Sequence, residues 1–380
     1  MAKKQHILAS LRKAEQNIFV PSGLARGFLK SFPRKLLPKL LSEHHICFCL
    51  GRSKSWFTKS TLTTEDGFSL IKLPKSRFLA SRIVNSFDIA ISIEATVDYL
   101  FTLKNFLRTP VIFWIQDPRT KQDWIEIETV TLAKEPCYWN SKTYELVRQF
   151  NQTNKIEFVT QAQFLTPKAI ELYSLPEDKH IAFLPNPIDL PPFNDFLLSS
   201  KSNSIIFLGR IDSVKRGWLF CEIAKRLPQY EFYLLGASTN SQEQKNNSIV
   251  TEYCKLHNIH FLGHVDGEKK HFYLSKAKIL VNTSIHEALP ISFLEAFAYG
   301  ITIVSNQNPD NLTQKYGRYI GQSLGDGWAE VNLFVKEIDY LMSNDSIRIK
   351  LAKNAREYVE TTHSFKNSKK ILDNILDNIT

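Results

Sequence analysis

The chain has 380 residues, 43% of them hydrophobic, and a net charge of +10. That length exceeds one ordinary core and suits two domains, and the apolar share excludes a disordered chain. No apolar run approaches the ~20 residues that span a bilayer, and the start MAKKQHILASLRK has too short an apolar core for a signal peptide, so a cytoplasmic protein is expected.

Five cysteines (Cys47, Cys49, Cys137, Cys221 and Cys254) are scattered and odd in number, which fits buried free thiols better than disulfides or a metal site. None of the ten histidines stands in an HExxH-type pattern. No metal and no cofactor are expected.

The positive charge is unevenly placed: residues 1–54 hold eleven Lys or Arg against Glu15 and Glu43. Asn17 to Val20 reads as a strand, followed by Pro21, Ser22 and Gly23. From Leu24 to Leu41, apolar residues recur at roughly helical spacing with Arg26, Lys30, Arg34, Lys35 and Lys39 between them, while Pro33 and Pro38 predict two short helical pieces rather than one. Two compatible readings follow. One is a sheet-covering helix with a wet basic face; the other is a surface, spanning residues 24–54, that meets an anionic membrane from the inner side of the cytoplasmic membrane. Nucleic acid is not expected, because Phe28 and Phe32 belong to the apolar face and are not interleaved for base stacking.

Strand-like and helix-like runs then alternate: strands at 46–50, 68–73, 88–93, 111–115, 156–160 and 181–184, and helices near 77–85, 97–107, 141–150 and 167–173. Such alternation predicts an α/β domain with a parallel sheet covered on both faces, whose ligands bind at the carboxyl ends of the strands. That rule singles out Gln116, Asp117, Pro118 and Arg119, directly after the strand VIFWI. Asp117 alone also fits a simple turn residue before a proline.

The segment LPNPIDLPPF, residues 184–193, holds four prolines and reads as a stiff linker. The pattern restarts after it with strands at 204–208, 231–235, 259–262, 279–281 and 301–305 and helices near 218–227, 249–257 and 269–277. The end, 346–379, is helix-like. The domains expected are 1–192, 193–355 and a terminal helix over 356–380 that crosses back to the first domain.

Two stretches of the second half carry chemistry. In FLGRIDSVKRG, Gly209 and Arg210 follow a strand, and Lys215 and Gly217 precede a helix, so two cations sit on a loop where a diphosphate can be clasped. In KILVNTSIHEALPISFLEAFAYG a strand opens into a loop bearing Glu287, and a helix of about 290–299 bears Glu295 on the border of its apolar arc. Pro290 suits the first turn and Gly300 the left-handed close. Two carboxylates beside unpaired helix N–H groups suit a ligand with both phosphates and hydroxyls. A capped amphipathic helix with two incidental glutamates explains the second stretch alone equally well.

GRIDSVKRG and HEALPISFLEAFAYG, with LPNPID before the linker, resemble the retaining nucleotide-sugar glycosyltransferases of family 4, the group 1 type. The resemblance is strong over residues 155–310 and faint over the first 110. It implies the GT-B fold, two facing Rossmann-like domains with parallel sheets and a cleft between them. It also implies retaining, metal-independent transfer of the hexosyltransferase type, from a nucleoside-diphosphate sugar to a hydroxyl acceptor on a glycan, lipid or small molecule. By the resemblance Arg210 and Lys215, beside Gly209, bind the donor diphosphate; Glu287 contacts the donor sugar and Glu295 the ribose; the turn at Gly263, His264 and Val265 takes the base. Ala288, Leu289, Pro290 and Ile291 complete the donor side. Ala288 replaces a common glycine and is still small. Gln116 replaces a common histidine; it can donate a hydrogen bond but carry no proton, so it is read as a positioning group beside Asp117, with Arg119 on the acceptor side. A nucleotide-sugar epimerase of the same fold and a non-catalytic GT-B-shaped binding protein are the alternatives.

Overall fold

The computed structural model describes residues 16–21, 32–57, 60–63, 68–94, 108–134, 141–153, 156–237 and 249–379. The helix expected at 97–107, Cys137, and the basic stretch 24–31 lie outside these residues. The strands are β1 (Asn17–Pro21), β2 (His45–Arg52), β3 (Ser60–Thr63), β4 (Ser69–Leu73), β5 (Ile89–Ile93), β6 (Val111–Ile115), β7 (Ile156–Thr160) and β8 (Ala182–Phe183), followed by β9 (Ser204–Leu208), β10 (Glu231–Leu235), β11 (Ile259–Phe261), β12 (Ile279–Asn282), β13 (Thr302–Ser305) and β14 (Gly317–Tyr319).

These form two sheets. The first has the order β3-β4-β2-β1-β5-β6-β7-β8 and the second β11-β10-β9-β12-β13-β14. Every pairing in the second is parallel, as are β1–β2, β1–β5, β2–β4 and β5–β6 in the first. The expectation of an all-parallel first sheet needs one correction: β3 runs antiparallel to β4 at the edge. Its sequence, STLT, lacks the apolar run that marked the others. The expected α/β architecture is otherwise what is found.

In the second sheet alternate residues serve opposite faces. Ile205, Phe207, Ile279 and Val281 join one apolar cluster, with Trp218, Phe220 and Phe232; Ile206 and Leu280 join another, with Phe293 and Leu294. Both faces are thus covered, which is why these strands are apolar throughout. The order reverses between β9 and β12, the point at which loops diverge and leave a crevice at the strands' carboxyl ends.

By compactness the chain divides into one unit of Met1–Trp114, Asn140–Val159 and Leu372–Thr380 and another of Ile115–Trp139 and Thr160–Ile371. Within the second unit, Trp124, Ile127, Val130 and Ala133 pack into the cluster around Trp218. These residues belong to or follow the helix Lys121–Glu128, which sequence periodicity did not reveal; it starts on a capping box between Thr120 and Asp123.

Two further differences are local. The described part of the stretch 24–41 holds one helix, Phe32–Leu40, which contains Pro38, so that proline does not end it. The hydrogen bond lost there is one near the end of a short helix, and burial of Leu36, Leu37 and Leu40 offsets it. The terminal helix-like stretch is two helices, Asp345–Thr362 and Phe365–Ile379, parted at His363. Among the described residues no helix is long and apolar enough to cross a membrane.

Candidate functional site

Because β9 and β12 are neighbours, the loops that leave their carboxyl ends lie side by side. Ile285 N–H donates to Val214 O at 2.8 Å, and Thr283 Oγ1 donates to Lys215 O at 2.8 Å. The loop after β9 can pass close to β10 only because Gly236 lacks a side chain; a Cβ there would stand 1.7 Å from Gly209 O. Asp212 shapes this loop. Its carboxylate accepts from Lys215 N–H at 3.0 Å and pairs with Arg210 at 3.0 Å. Arg210 is about half exposed (52%).

Arg216 follows in the left-handed conformation, φ 48°, and is fully buried. Its Nε donates to Thr283 O at 2.6 Å and its Nη1 to Gly325 O at 3.0 Å. Burial lowers its pKa to about 10, against the pull of Glu330 and Asp326. A side chain held this way turns the preceding Lys215 toward the neighbouring loop.

There Lys215 Nζ meets Glu287 Oε1 at 2.5 Å. The same oxygen accepts from Asn282 Nδ2 at 3.0 Å and Ser284 Oγ at 2.5 Å. Burial alone would raise the Glu287 pKa, but Lys215 and the two neutral donors outweigh it and hold the carboxyl below its usual range. All three donors reach Oε1, so Oε2 can accept from a ligand hydroxyl. The loop is braced from β13 as well: Ser305 Oγ donates to Asn282 Oδ1 at 3.0 Å and Asn306 Nδ2 to Ser284 O at 2.8 Å.

The helix is Ile291–Ala298, with Pro290 as its N-cap and no side chain capping it; Gly300, φ 60°, closes it as expected. Its first N–H groups are therefore open to an anion. Ala288 and Leu289 are buried in the core. Glu295 pairs with Lys270 at 2.5 Å, both partly exposed. Of the expected base-binding turn, Gly263 has φ 67°, His264 is exposed beside Asp266 at 3.7 Å, and Val265 is buried.

The loop after β6 divides its residues between two networks. Gln116 exchanges hydrogen bonds with Asn186, whose Nδ2 reaches Gln116 Oε1 at 2.9 Å, and Gln116 O accepts from Gln161 Nε2 at 2.5 Å. Asn186, the asparagine of LPNPID, is fixed in turn by His363, whose Nδ1 donates to Asn186 O at 2.8 Å. Asp117 instead accepts from Arg119 Nε at 2.9 Å and His286 Nε2 at 2.9 Å. Arg119 also lies over the Trp124 ring, 5.1 Å from its centre. His286 Nδ1 faces Asp123 Oδ1 at 3.4 Å, and Lys168 Nζ reaches that same oxygen at 2.5 Å. Burial works against charge at Asp117 and Asp123, yet His286 with Arg119 or Lys168 holds both carboxyls well below their usual range. The His286 pKa is raised: burial would lower it, and the two carboxylates overcome that.

The structure thus joins Lys215 to Glu287, and Asp117 to Arg119. Gln116 bonds to Asn186 and Gln161, and Arg210 pairs with Asp212. Sequence reading missed Lys270, Asn282, Ser284, Asp123, Lys168 and His286. Asn282, Ser284 and His286 lie inside a stretch already singled out, and only their sequence nearness to Glu287 could have flagged them. Among the described residues no group of three His, Cys, Asp or Glu side chains is arranged to hold a metal ion.

Residues 193–358 match the family model of glycosyl transferases group 1. The O-antigen biosynthesis glycosyltransferase WbnH of Escherichia coli is 27% identical over 137 residues, 36% of this chain and 37% of that protein's own length. Sucrose-phosphate synthase from Thermosynechococcus elongatus aligns over 96% of this chain and 99% of its own, with a TM-score of 0.71 and 14% identity. Anabaena HepE in complex with UDP and glucose aligns over 96% and 100%, with a TM-score of 0.71 and 10% identity. At such identities the structural likeness speaks for the fold, which is GT-B.

Proposed function

We propose that the protein is a glycosyltransferase that moves a sugar from a nucleoside-diphosphate sugar to a hydroxyl acceptor, with retention of configuration and without a metal. The observation that carries this reading is the partly buried Lys215–Glu287 contact beside an uncapped helix N-terminus, at the reversal point of a parallel sheet. The group 1 match over this half of the chain supports it, and HepE's complex with UDP suggests a uridine donor.

In this reading Arg210, Lys215 and the N–H groups at Ile291 and Ser292 bind the diphosphate, and Glu295 the ribose. The bond between the anomeric carbon and the diphosphate oxygen breaks as negative charge builds on that oxygen. Two cations and a helix dipole aimed there stabilise the charge, which is the role a divalent ion would otherwise fill. The acceptor oxygen bonds to the same face of the sugar, and its proton passes to the departing diphosphate. No side chain need serve as base, so Gln116 is adequate as a positioning group. Glu287 Oε2 orients the sugar through a hydroxyl.

The test is calorimetry with a panel of nucleotide sugars, then donor turnover by wild type, Glu287→Ala and Arg210→Ala. Turnover is expected to fall about 100-fold or more in the first and about tenfold in the second, whose side chain is half exposed. Absence of any nucleotide binding would remove the enzyme reading. Donor consumption without acceptor would favour an epimerase, and binding without turnover a binding protein.

A cytoplasmic site on an anionic membrane surface belongs to the same proposal. In the first unit the loop carrying Lys54, Trp56 and Phe57 is joined to the start of the helix Arg77–Val84, since Lys75 and Ser76 N–H donate to Ser55 and Trp56 O. Trp56, Phe57 and Phe78 are exposed, and Arg82 lies over the Phe78 ring. Aromatic rings amid Lys54, Lys75, Arg77 and Arg82 suit anionic headgroups. Flotation with anionic vesicles should weaken with salt and in the Trp56→Ser, Phe57→Ser double variant; equal binding to neutral vesicles would exclude it.

A further inference from the structure

We propose that His286 is a positioning residue for the transfer reaction: by bridging Asp117 and Asp123 it holds the segment after β6 in register with the loop that carries Glu287. The kinetic part of this inference rests on the function proposed above.

The argument begins with the two ring nitrogens. Nε2 is 2.9 Å from Asp117 Oδ1 and Nδ1 is 3.4 Å from Asp123 Oδ1. A neutral imidazole has one N–H, so one of these carboxylates would face a ring lone pair; only the imidazolium can donate to both. The ring is 7% exposed, so water cannot substitute for either partner. The charged groups around it are Asp117 and Arg119 from the loop after β6, Asp123 from the helix Lys121–Glu128, and Lys168 from the helix Thr166–Tyr173. Arg119 and Lys168 each pair with one carboxylate, and His286 is the group that contacts both.

What His286 fastens is the near end of a longer strap. The far end is secured independently, by Trp124, Ile127, Val130 and Ala133 in the core and by Asp326, whose Oδ1 accepts from Thr131 N–H at 2.9 Å and Leu132 N–H at 3.0 Å. The near end brings Asp117 and Arg119 to the residue adjoining Glu287. A shift of the imidazole therefore moves both the strap and, one residue along the backbone, the carboxylate that is already saturated on Oε1. Movements of about an ångström at such a group are enough to cost about 100-fold in rate.

The experiment compares His286→Ala, His286→Gln and Asp123→Asn with wild type in the full chain. His286→Ala is expected to lower kcat about 100-fold while the donor KM changes less than about threefold, and His286→Gln, which restores one N–H donor, should recover about a tenth of the wild-type rate or more. In wild type kcat should fall on the alkaline side as the imidazolium loses its proton. Asp123→Asn should move that limb to lower pH, and His286→Gln should abolish it. A residue that served folding alone would reduce the yield of active protein and leave the limb where it is. Superimposable pH profiles in wild type, Asp123→Asn and His286→Gln would overturn the proposal, as would KM rising in step with the fall in kcat. Histidine NMR of the protein without nucleotide gives a reading independent of turnover. The signal lost in His286→Gln should titrate above the ordinary histidine range in wild type and lower in Asp123→Asn. A His286 signal that titrates below that range overturns the proposal even if no sugar is ever transferred.

Discussion

Two histidines of the second unit, His286 and His363, are buried to almost the same degree, 7% and 0% exposed, and their surroundings shift their pKa values in opposite directions. His286 stands between two carboxylates, which raise its pKa against the pull of burial. His363 donates from Nδ1 to the carbonyl of Asn186 and lies 3.0 Å from the Tyr358 hydroxyl through Nε2. A carbonyl can only accept, so Nδ1 carries the proton and Nε2 receives one from tyrosine; the ring is complete when neutral. Burial then pushes its pKa down to about 4, with the bond to Asn186 resisting slightly. Burial alone therefore does not set a histidine's charge. The number of negative partners does, because the desolvation penalty on a cation is met only where carboxylates replace the lost water.

The sharpest way to break this contrast is to take a carboxylate from His286. Asp123→Asn keeps an oxygen for the capping box with Thr120 but leaves the buried imidazolium one anion short, and should cost about 3 kcal/mol at pH 6 by urea unfolding. The sign with pH follows from the raised pKa. The stability His286 contributes is full below its unfolded value and disappears as pH rises through its folded value, so the cost of the mutation should shrink in alkali. A cost unchanged between pH 6 and pH 9 would mean the ring is not charged.

His363 should respond in the other direction. Its folded pKa of about 4 lies below its unfolded value of 6.5, so the unfolded chain binds the extra proton between those values and stability falls as pH drops through that window. The difference amounts to about 3 kcal/mol, and it should appear as a steeper acid loss in wild type than in His363→Gln. Parallel acid profiles would show that the ring is protonated in the fold. The smallest effect expected is that of Tyr358→Phe, which removes the donor to Nε2 and should cost about 1 kcal/mol at pH 7, read from the urea midpoint. A loss of several kcal/mol there would mean that the hydroxyl supports more than this one ring.

Much of the second half was legible in advance. Strands as apolar as SIIFL and VIFWI announce burial on both faces, and the loops after them are where parallel sheets place ligands. FLGRIDSVKRG and HEALPISFLEAFAYG therefore pointed to a site before any geometry was known, and Lys215 does meet Glu287. The antiparallel edge strand STLT and the helix Lys121–Glu128 were not legible. The first has no apolar run, and the second takes its stability from Trp124 and Ile127 reaching a core built largely from Ile205 and residues beyond it.

The sequence by itself determined the alternation of strands and helices, the restart after the proline-rich linker, and the identity of the cations and carboxylates at the strand ends. These are matters of local pattern, since periodicity, turn chemistry and burial of whole strands are written over a few residues. Only the tertiary structure decided which charges meet. Asp117 and His286 are 169 positions apart, and nothing near either one foretells the other. Their contact exists because the segment after β6 is anchored by its apolar face in the same cluster that holds Ile285, the neighbour of His286. Proton affinity follows from such contacts, so the raised pKa of His286 and the lowered pKa of His363 are properties of the fold and not of ten histidines read in a row.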